Sequence, residues 1–368
     1  MRSTHILWLL IFSLCLLAGA ACEELPSYEG EGGILDSPLS LAVHWPYAYV
    51  ANANFDLSGD KRGFISIVDL ETALVRRDKA ILGHVKTKPF LSKIILNADG
   101  TRAYVAERRN NSIRLFDLTD PVHPVEIDAN PDKEGVQGIG VGRQPYGLAL
   151  SLDEKMLYTA CMSSGHVSIV DLETMQLTKN ILLSSGINEL KFDPAGKFLY
   201  VTNRKFNTVT LLDGASGNIV TSFGIPTQSS LAGYDFRGLD FTPDGHYLFV
   251  AVKTPSRLLM VDTEKLPMYP TQAVLRELPM DTGPMGVAVT PDGREAWVTN
   301  YESESILAVD ARTGTLLKSL PSRRGPSDIQ IFARPEEPNY YYALAANFKT
   351  HTLTLIDTMT KEVIWSIP

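Results

Sequence analysis

Apolar and polar residues alternate along this chain in short β-branched runs, not at helical spacing, and one such run recurs seven times with an aspartate at its end. The runs are ISIVD at 65–69, IRLFD at 113–117, VSIVD at 167–171, VTLLD at 209–213, LLMVD at 258–262, ILAVD at 306–310 and LTLID at 353–357. Successive aspartates are 48, 54, 42, 49, 48 and 47 residues apart. A period of this size, built only from strand-type alternation, predicts an all-β, seven-bladed β-propeller with one repeat per blade. Each repeat is too thin to bury its own apolar face, so the seven stack into one body.

Inside each repeat the order of elements is regular. Upstream of each aspartate lies a second strand, at AYVAN 48–52, AYVAE 103–107, LYTAC 157–161, LYVTN 199–203, LFVAV 248–252, AWVTN 296–300 and ALAAN 343–347. Six of the seven place the aspartate ten residues beyond that strand; in the first the distance is seventeen, Asn52 to Asp69. Turns NADG, DPAG and TPDG precede the second strand, where Pro, Asp and Gly suit a tight hairpin. A first strand such as Gly147-Leu-Ala-Leu comes before the turn, and a fourth follows the aspartate. Four antiparallel strands per repeat make one blade.

This ordering resembles the YVTN-type β-propeller repeat over nearly all of 33–368. LYVTN and AWVTN match its motif closely, whereas Glu107, Cys161 and Val252 replace its Asn. The resemblance fixes architecture more than function. It implies a bacterial surface or periplasmic propeller, with sugar lactonases and electron-transfer subunits among related propellers. Here both ends of the chain meet at a blade boundary. Closure is therefore expected to rest on side-chain packing between repeats 1 and 7.

The N-terminus reads as an export signal. Arg2 precedes an apolar run from Ile6 to Leu17, followed by Ala18-Gly19-Ala20-Ala21-Cys22. Twelve apolar residues are few for a bilayer span, and no second such run follows. The stretch ending at Cys22 resembles a bacterial lipobox, with Gly19 where Leu is usual, and implies lipidation of Cys22. Cleavage with Cys22 left as an ordinary thiol is the alternative. The domain reading is a signal peptide over 1–21, an acidic Gly-rich tether over 22–33 and one propeller over 34–368. The expected address is the cell envelope, lipid-anchored, facing periplasm or cell surface.

Composition narrows the partners. With 34 basic against 42 acidic residues, the formal charge of −8 argues against nucleic acid. Three cysteines, of which Cys15 lies in the signal, provide no disulfide framework. No GxSxG, HExxH, P-loop, CxxC or CxxCH motif occurs, so no catalytic residue and no cofactor is assigned. Asp56 and Asp60 alternate as oxygen ligands in a calcium loop would, without the distal bidentate Glu. GIGVG at 138–142 has no helix after it and belongs to the repeat's own link.

In such a blade, the second-to-third connections and the links to the next blade share one face. The long stretches 55–63, 118–143, 226–236 and 264–283 are expected there, against one insertion, 333–342, on the other. That face also gathers cations: Arg108, Arg109, Arg204, Lys205, Lys253, Arg257, Lys349 and His351 from the connections, with Lys88, Arg143, Arg237, Arg323 and Arg324 from the links. They predict a basic mouth for an unknown protein or an anionic ligand. Ordinary surface charge, neutralised by Glu107, Asp235, Glu302 and Glu304, stays open beside it. The expected function is thus a non-catalytic, envelope-tethered binding propeller. A lactonase-type hydrolase or an accessory subunit in periplasmic electron transfer is the alternative.

Overall fold

The computed structural model describes residues 35–54, 63–76, 79–224 and 235–368. The signal segment, the tether with Cys22, and the loop holding Asp56 and Asp60 lie outside them.

Seven antiparallel sheets follow one another in sequence order, and each is built from consecutive strands. Innermost strands run over Pro38–His44, Leu91–Leu96, Pro145–Leu150, Ile187–Phe192, Phe236–Phe241, Pro284–Val289 and Pro326–Arg334. Each of these touches the innermost strand before and after it, and the first touches the last, so the blades (numbered 1 to 7 along the chain) form a ring. The second and third strands of each blade are almost wholly buried. Outer strands such as Gln176–Leu182 and Leu316–Pro321 bury a single residue each. This gradient follows from the stacking: a sheet seated between two neighbours hides both faces, and only its outermost strand reaches water.

Seven apolar clusters fill the seven spaces between blades. Trp297, fully buried between blades 6 and 7, is the largest side chain among them. The blade 7–1 space has its own cluster, Leu41, Val50 and Val68 against Phe332, Leu344 and Leu353. Among the described residues no strand is exchanged across that boundary. Polar pins close it instead: Ser327 Oγ donates to the carbonyls of Pro38 and Leu39, Ser40 Oγ donates to Asp328, and Ser37 N–H donates to His351 Nδ1.

The repeat residues do structural jobs. Each third-strand aspartate accepts backbone N–H bonds from the turn after it, as Asp171 does from Glu173 and Thr174, and Asp310 from Arg312 and Thr313. These are Asx-type turns that aim the chain into the fourth strand. The motif Asn works at the opposite end. Asn203 Oδ1 accepts from Lys205 and Phe206 N–H while its Nδ2 donates to Ser184 and Ser185. It thereby ties the second-to-third turn to the preceding link. In the TPDG hairpins, Thr242 and Thr290 donate to Asp244 and Asp292, and Gly245 and Gly293 take φ of 72° and 71°.

Two expected loop placements are corrected. The stretch 118–143 contains the fourth strand of blade 2, broken in two: Val125–Ile127 and Ile139–Gly140 both pair with Ser112–Asp117. The residues between them are largely exposed and hold a turn in which Asp128 accepts from Asn130 and Gln137 N–H. The extra length of 264–283 falls before the fourth strand Val274–Pro279, in the third-to-fourth connection, and includes the short helix Pro270–Ala273. It sits on the face opposite the expected one, together with the extended hairpin of Pro326–Arg334 and Glu337–Asn347. Among the described residues, irregular length is therefore not gathered on one face. The other two long stretches, 55–63 and 226–236, lie largely outside the description.

Candidate functional site: the channel and its basic mouth

Every innermost strand carries a register shift directly after its first residue, as between Ile187 and Leu190 or Phe236 and Leu239. A bulge leaves residues unpaired and re-aims them. Two residues are skipped in five blades and one in blades 1 and 7, Leu39 and Ser327, whose neighbours Ser40 and Asp328 pair with Ala51 and Ala346. These pairs of residues, Gly147 apart, line the central channel. Their identities are Leu39-Ser40, Ser92-Lys93, Tyr146-Gly147, Asn188-Glu189, Arg237-Gly238, Met285-Gly286 and Ser327-Asp328. Three of the seven end in glycine because the next blade's backbone is too close for a side chain: a Cβ on Gly238 would lie 2.5 Å from Met285 O, and one on Gly147 2.7 Å from Asn188 O. Two residues further on, alternation brings a second set to the channel wall: Ile95, Ala149, Lys191, Asp240, Ala288 and Gln330. The result is a cavity of about 480 Å³ along the axis.

Lys93 of blade 2 crosses this cavity. Its Nζ lies 3.3 Å from Asp328 Oδ2 of blade 7 and 3.7 Å from Glu189 Oε1 of blade 4. Asp328 also accepts from Ser40 Oγ at 2.7 Å and Leu41 N–H at 3.2 Å. Burial by itself would lower the Lys93 pKa, but the Asp328 and Glu189 carboxylates outweigh it and hold the ammonium above its ordinary value. Burial pushes Glu189 up against the opposing pull of Lys93. Lower in the channel, Lys191 and Asp240 pair at 2.5 Å.

Beside this group stands a cluster of arginines. Arg237, only 7% exposed, gives Nη2 to Asp235 Oδ2 at 2.5 Å, and Arg204 Nε lies 3.7 Å from the other Asp235 oxygen. Arg108 stacks 5.7 Å over the ring of Tyr146, whose hydroxyl is held above its usual range first by burial and then by Glu189. Arg108 also lines a second cavity, of about 660 Å³, with Arg109, Arg143, Gln144, Asn111 and Ser163. That cavity opens between blades 2 and 3 on the face where innermost strands begin. Tyr146 belongs to the channel and Arg108 to the mouth, so their contact marks the boundary between the two.

The expected cations divide into two groups. Lys253 pairs with Glu302 at 3.0 Å, Arg324 with Glu304 at 3.4 Å, and Arg204 and Arg237 share Asp235. Lys349 packs 4.4 Å over the Tyr301 ring, Lys205 bonds Ser185, Arg257 donates to Ser256 O, Arg323 to Ser366, and His351 holds Ser37. Arg108, Arg109 and Arg143 have no carboxylate at ion-pair distance among the described residues. Glu107, expected nearby as a counter-charge, turns its carboxylate inward to Ser112 and Asn110. Arg237 is not on the face at all but buried in the channel wall. Cys161 is a free, fully buried thiol beside Ser168.

Sequence reasoning passed over Lys93, Tyr146, Asn188, Glu189 and Asp328. A signal for them existed: each sits one or two residues before the apolar run of a first strand, at positions filled in other blades by Gly, Ser, Leu, Met or Arg. The bulge that turns this position into the channel has no sequence mark of its own.

No protein-family profile matches the chain. It is similar to hydrazine synthase subunit beta of Kuenenia stuttgartiensis (25% identity, 45% of this chain and 53% of that one) and to the uncharacterized protein YncE of Salmonella typhimurium (23%, 54% and 53%). The chain thus spans about half the length of the curated relatives it matches. Among solved structures, the Kuenenia hydrazine synthase aligns over 92% of this chain and 99% of its own at a TM-score of 0.70 and 19% identity. A periplasmic gluconolactonase of Pseudomonas aeruginosa aligns over 81% and 89% at a TM-score of 0.65 and 18% identity. These likenesses establish the seven-bladed fold. No described helix is long and apolar enough to cross a membrane.

Proposed function

We propose that this protein is a non-catalytic propeller, exported and tethered to the envelope through Cys22, that binds an anionic ligand in the basic cavity between blades 2 and 3. The observation that carries this reading is the trio Arg108, Arg109 and Arg143, which converges on one open cavity with no carboxylate at ion-pair distance among the described residues. Gln144, Asn111 and Ser163 add neutral hydrogen-bonding groups at the same place. Lys253, Arg324, Arg204 and Arg237 have carboxylate partners and contribute little net field. Among the described residues Lys205, Arg257, Arg323 and Lys349 meet only neutral groups but stand apart from one another, whereas Arg108, Arg109 and Arg143 share one cavity and concentrate the field there. Calorimetric titration with pyrophosphate, citrate and polygalacturonate tests the reading. The wild type is expected to bind at least one of them, and charge reversal at Arg109 and Arg143 together to abolish that binding. Wild-type protein inert to all three, or a variant that binds equally well, contradicts it.

A second reading is a lactonase-type hydrolase, favoured by the fold shared with the gluconolactonase and by the open channel cavity. Hydrolysis of glucono-δ-lactone by pure protein no faster than the spontaneous rate removes it. A third, an accessory subunit with a protein partner, takes its support from the subunit-beta relative. It is tested by co-purification from the native envelope.

A further inference from the structure

The channel cavity has two poles of opposite sign. On one side, two carboxylates, Glu189 and Asp328, face one ammonium, Lys93. On the other, the guanidiniums of Arg237 and Arg204 share a single carboxylate, Asp235, with Arg108 beyond them. Tyr146 lies between and feels both groups. Each pole also carries a spare buried polar atom. Among the described residues Arg237 Nε has no acceptor, and Asn188 Oδ1, on a residue only 2% exposed, has no donor. Both residues line the cavity. Glu189 spends its carboxylate on one long ion pair, which leaves oxygen lone pairs open to another cation.

We propose that this cavity binds a small zwitterion, a molecule with a protonated amine at one end and a carboxylate at the other. The amine sits against Glu189 and Asn188 Oδ1, and the carboxylate accepts from Arg237 Nε. A simple anion would satisfy the arginine pole but meet the two carboxylates. A simple amine would have the reverse difficulty, and a neutral polyol would leave both poles uncompensated. The volume suits a ligand of amino-acid size, with room for a longer spacer or a side chain. This site lies in the channel wall and does not depend on the anion reading of the mouth.

Titration of the purified chain with glycine, γ-aminobutyrate and ε-aminocaproate, against butanoate and butylamine, is the test. At least one zwitterion is expected to bind about tenfold or more tightly than both single-charge compounds, as fits one charge-assisted contact at each end. In Glu189→Gln that advantage over butanoate falls at least about tenfold, whereas Leu316→Ala on the exposed outer strand leaves it unchanged. Equal binding of butanoate and the zwitterions, no binding of any zwitterion, or an undiminished advantage in Glu189→Gln overturns the proposal. The wild-type comparison needs no variant to fold, and pyrophosphate binding at the mouth can fail or succeed independently of it.

Discussion

Replacing Asp328 by alanine strikes the ring at the blade 7–1 boundary, which no described strand crosses. Asp328 takes Ser40 Oγ at 2.7 Å and Leu41 N–H at 3.2 Å from blade 1, and Lys93 Nζ at 3.3 Å from blade 2. Truncation leaves a buried ammonium with only the 3.7 Å contact to Glu189, and a buried N–H with no acceptor. Removing one partner of a buried pair costs about 3–5 kcal/mol. Each orphaned neutral donor costs about 1–3 kcal/mol, and the surviving Glu189 contact offsets part of the total. The expected loss for Asp328→Ala is therefore about 3–5 kcal/mol, a large share of a typical total of 5–15 kcal/mol. Asp328→Asn keeps an acceptor for Ser40 and Leu41 and loses mainly the charge, so about 1–2 kcal/mol is expected. Urea unfolding followed by Trp fluorescence measures both, with Leu316→Ala on the exposed outer strand as a control within about 0.5 kcal/mol of wild type. Asp328→Ala within about 1 kcal/mol of wild type would show that apolar packing alone closes the ring and refute the polar-pin argument.

Other outcomes follow from the same geometry. Gly238→Ala sets a Cβ 2.5 Å from the Met285 carbonyl of the next blade and should cost about 1–3 kcal/mol in urea unfolding, where an unchanged midpoint would contradict the close approach. Trp297→Ala empties the largest buried site and should cost about 3–5 kcal/mol by the same measurement. The turn aspartates are held below the usual carboxylate range, Asp117 and Asp213 chiefly by the Thr119 and Ser216 side chains and Asp171 and Asp310 by the Thr174 and Thr313 backbones. A lowered native pKa stabilises above the unfolded value, so urea midpoints should hold down to about pH 5 and decline below about pH 4 as these groups protonate; a flat profile there would contradict it. Burial pushes the Cys161 thiol up, so an aromatic disulfide reagent should label it in urea and not in the native state.

The sequence announced the ring far better than it announced the site. Seven aspartates at near-equal intervals meant seven blades because each holds the turn into a fourth strand, and backbone turns of that kind leave a local residue signature. The Asn of the motif was equally visible, for it ties two neighbouring loops within a fixed distance. Channel chemistry depends on residues from blades 2, 4 and 7 that are nearly a hundred or more positions apart, and no local pattern joins Lys93 to Glu189 or Asp328. The basic mouth was half legible. Its cations could be assigned to one face by topology, but only the folded chain separates Arg109 and Arg143, which stay unpaired, from Lys253 and Arg324, which do not. Arg237 misled because the bulge after Phe236 turns a residue of an entry segment into the wall. The insertions at 118–143 and 264–283 misled because turn-rich sequence does not reveal whether it precedes or follows an irregular fourth strand.

The most direct test of a basic mouth is the anomalous signal of a crystal soaked in bromide. The account predicts the strongest bromide peak in the cavity bounded by Arg108, Arg109 and Arg143. Peaks spread evenly over Lys205, Lys349 and Arg323 on the same face, with none in that cavity, would contradict it.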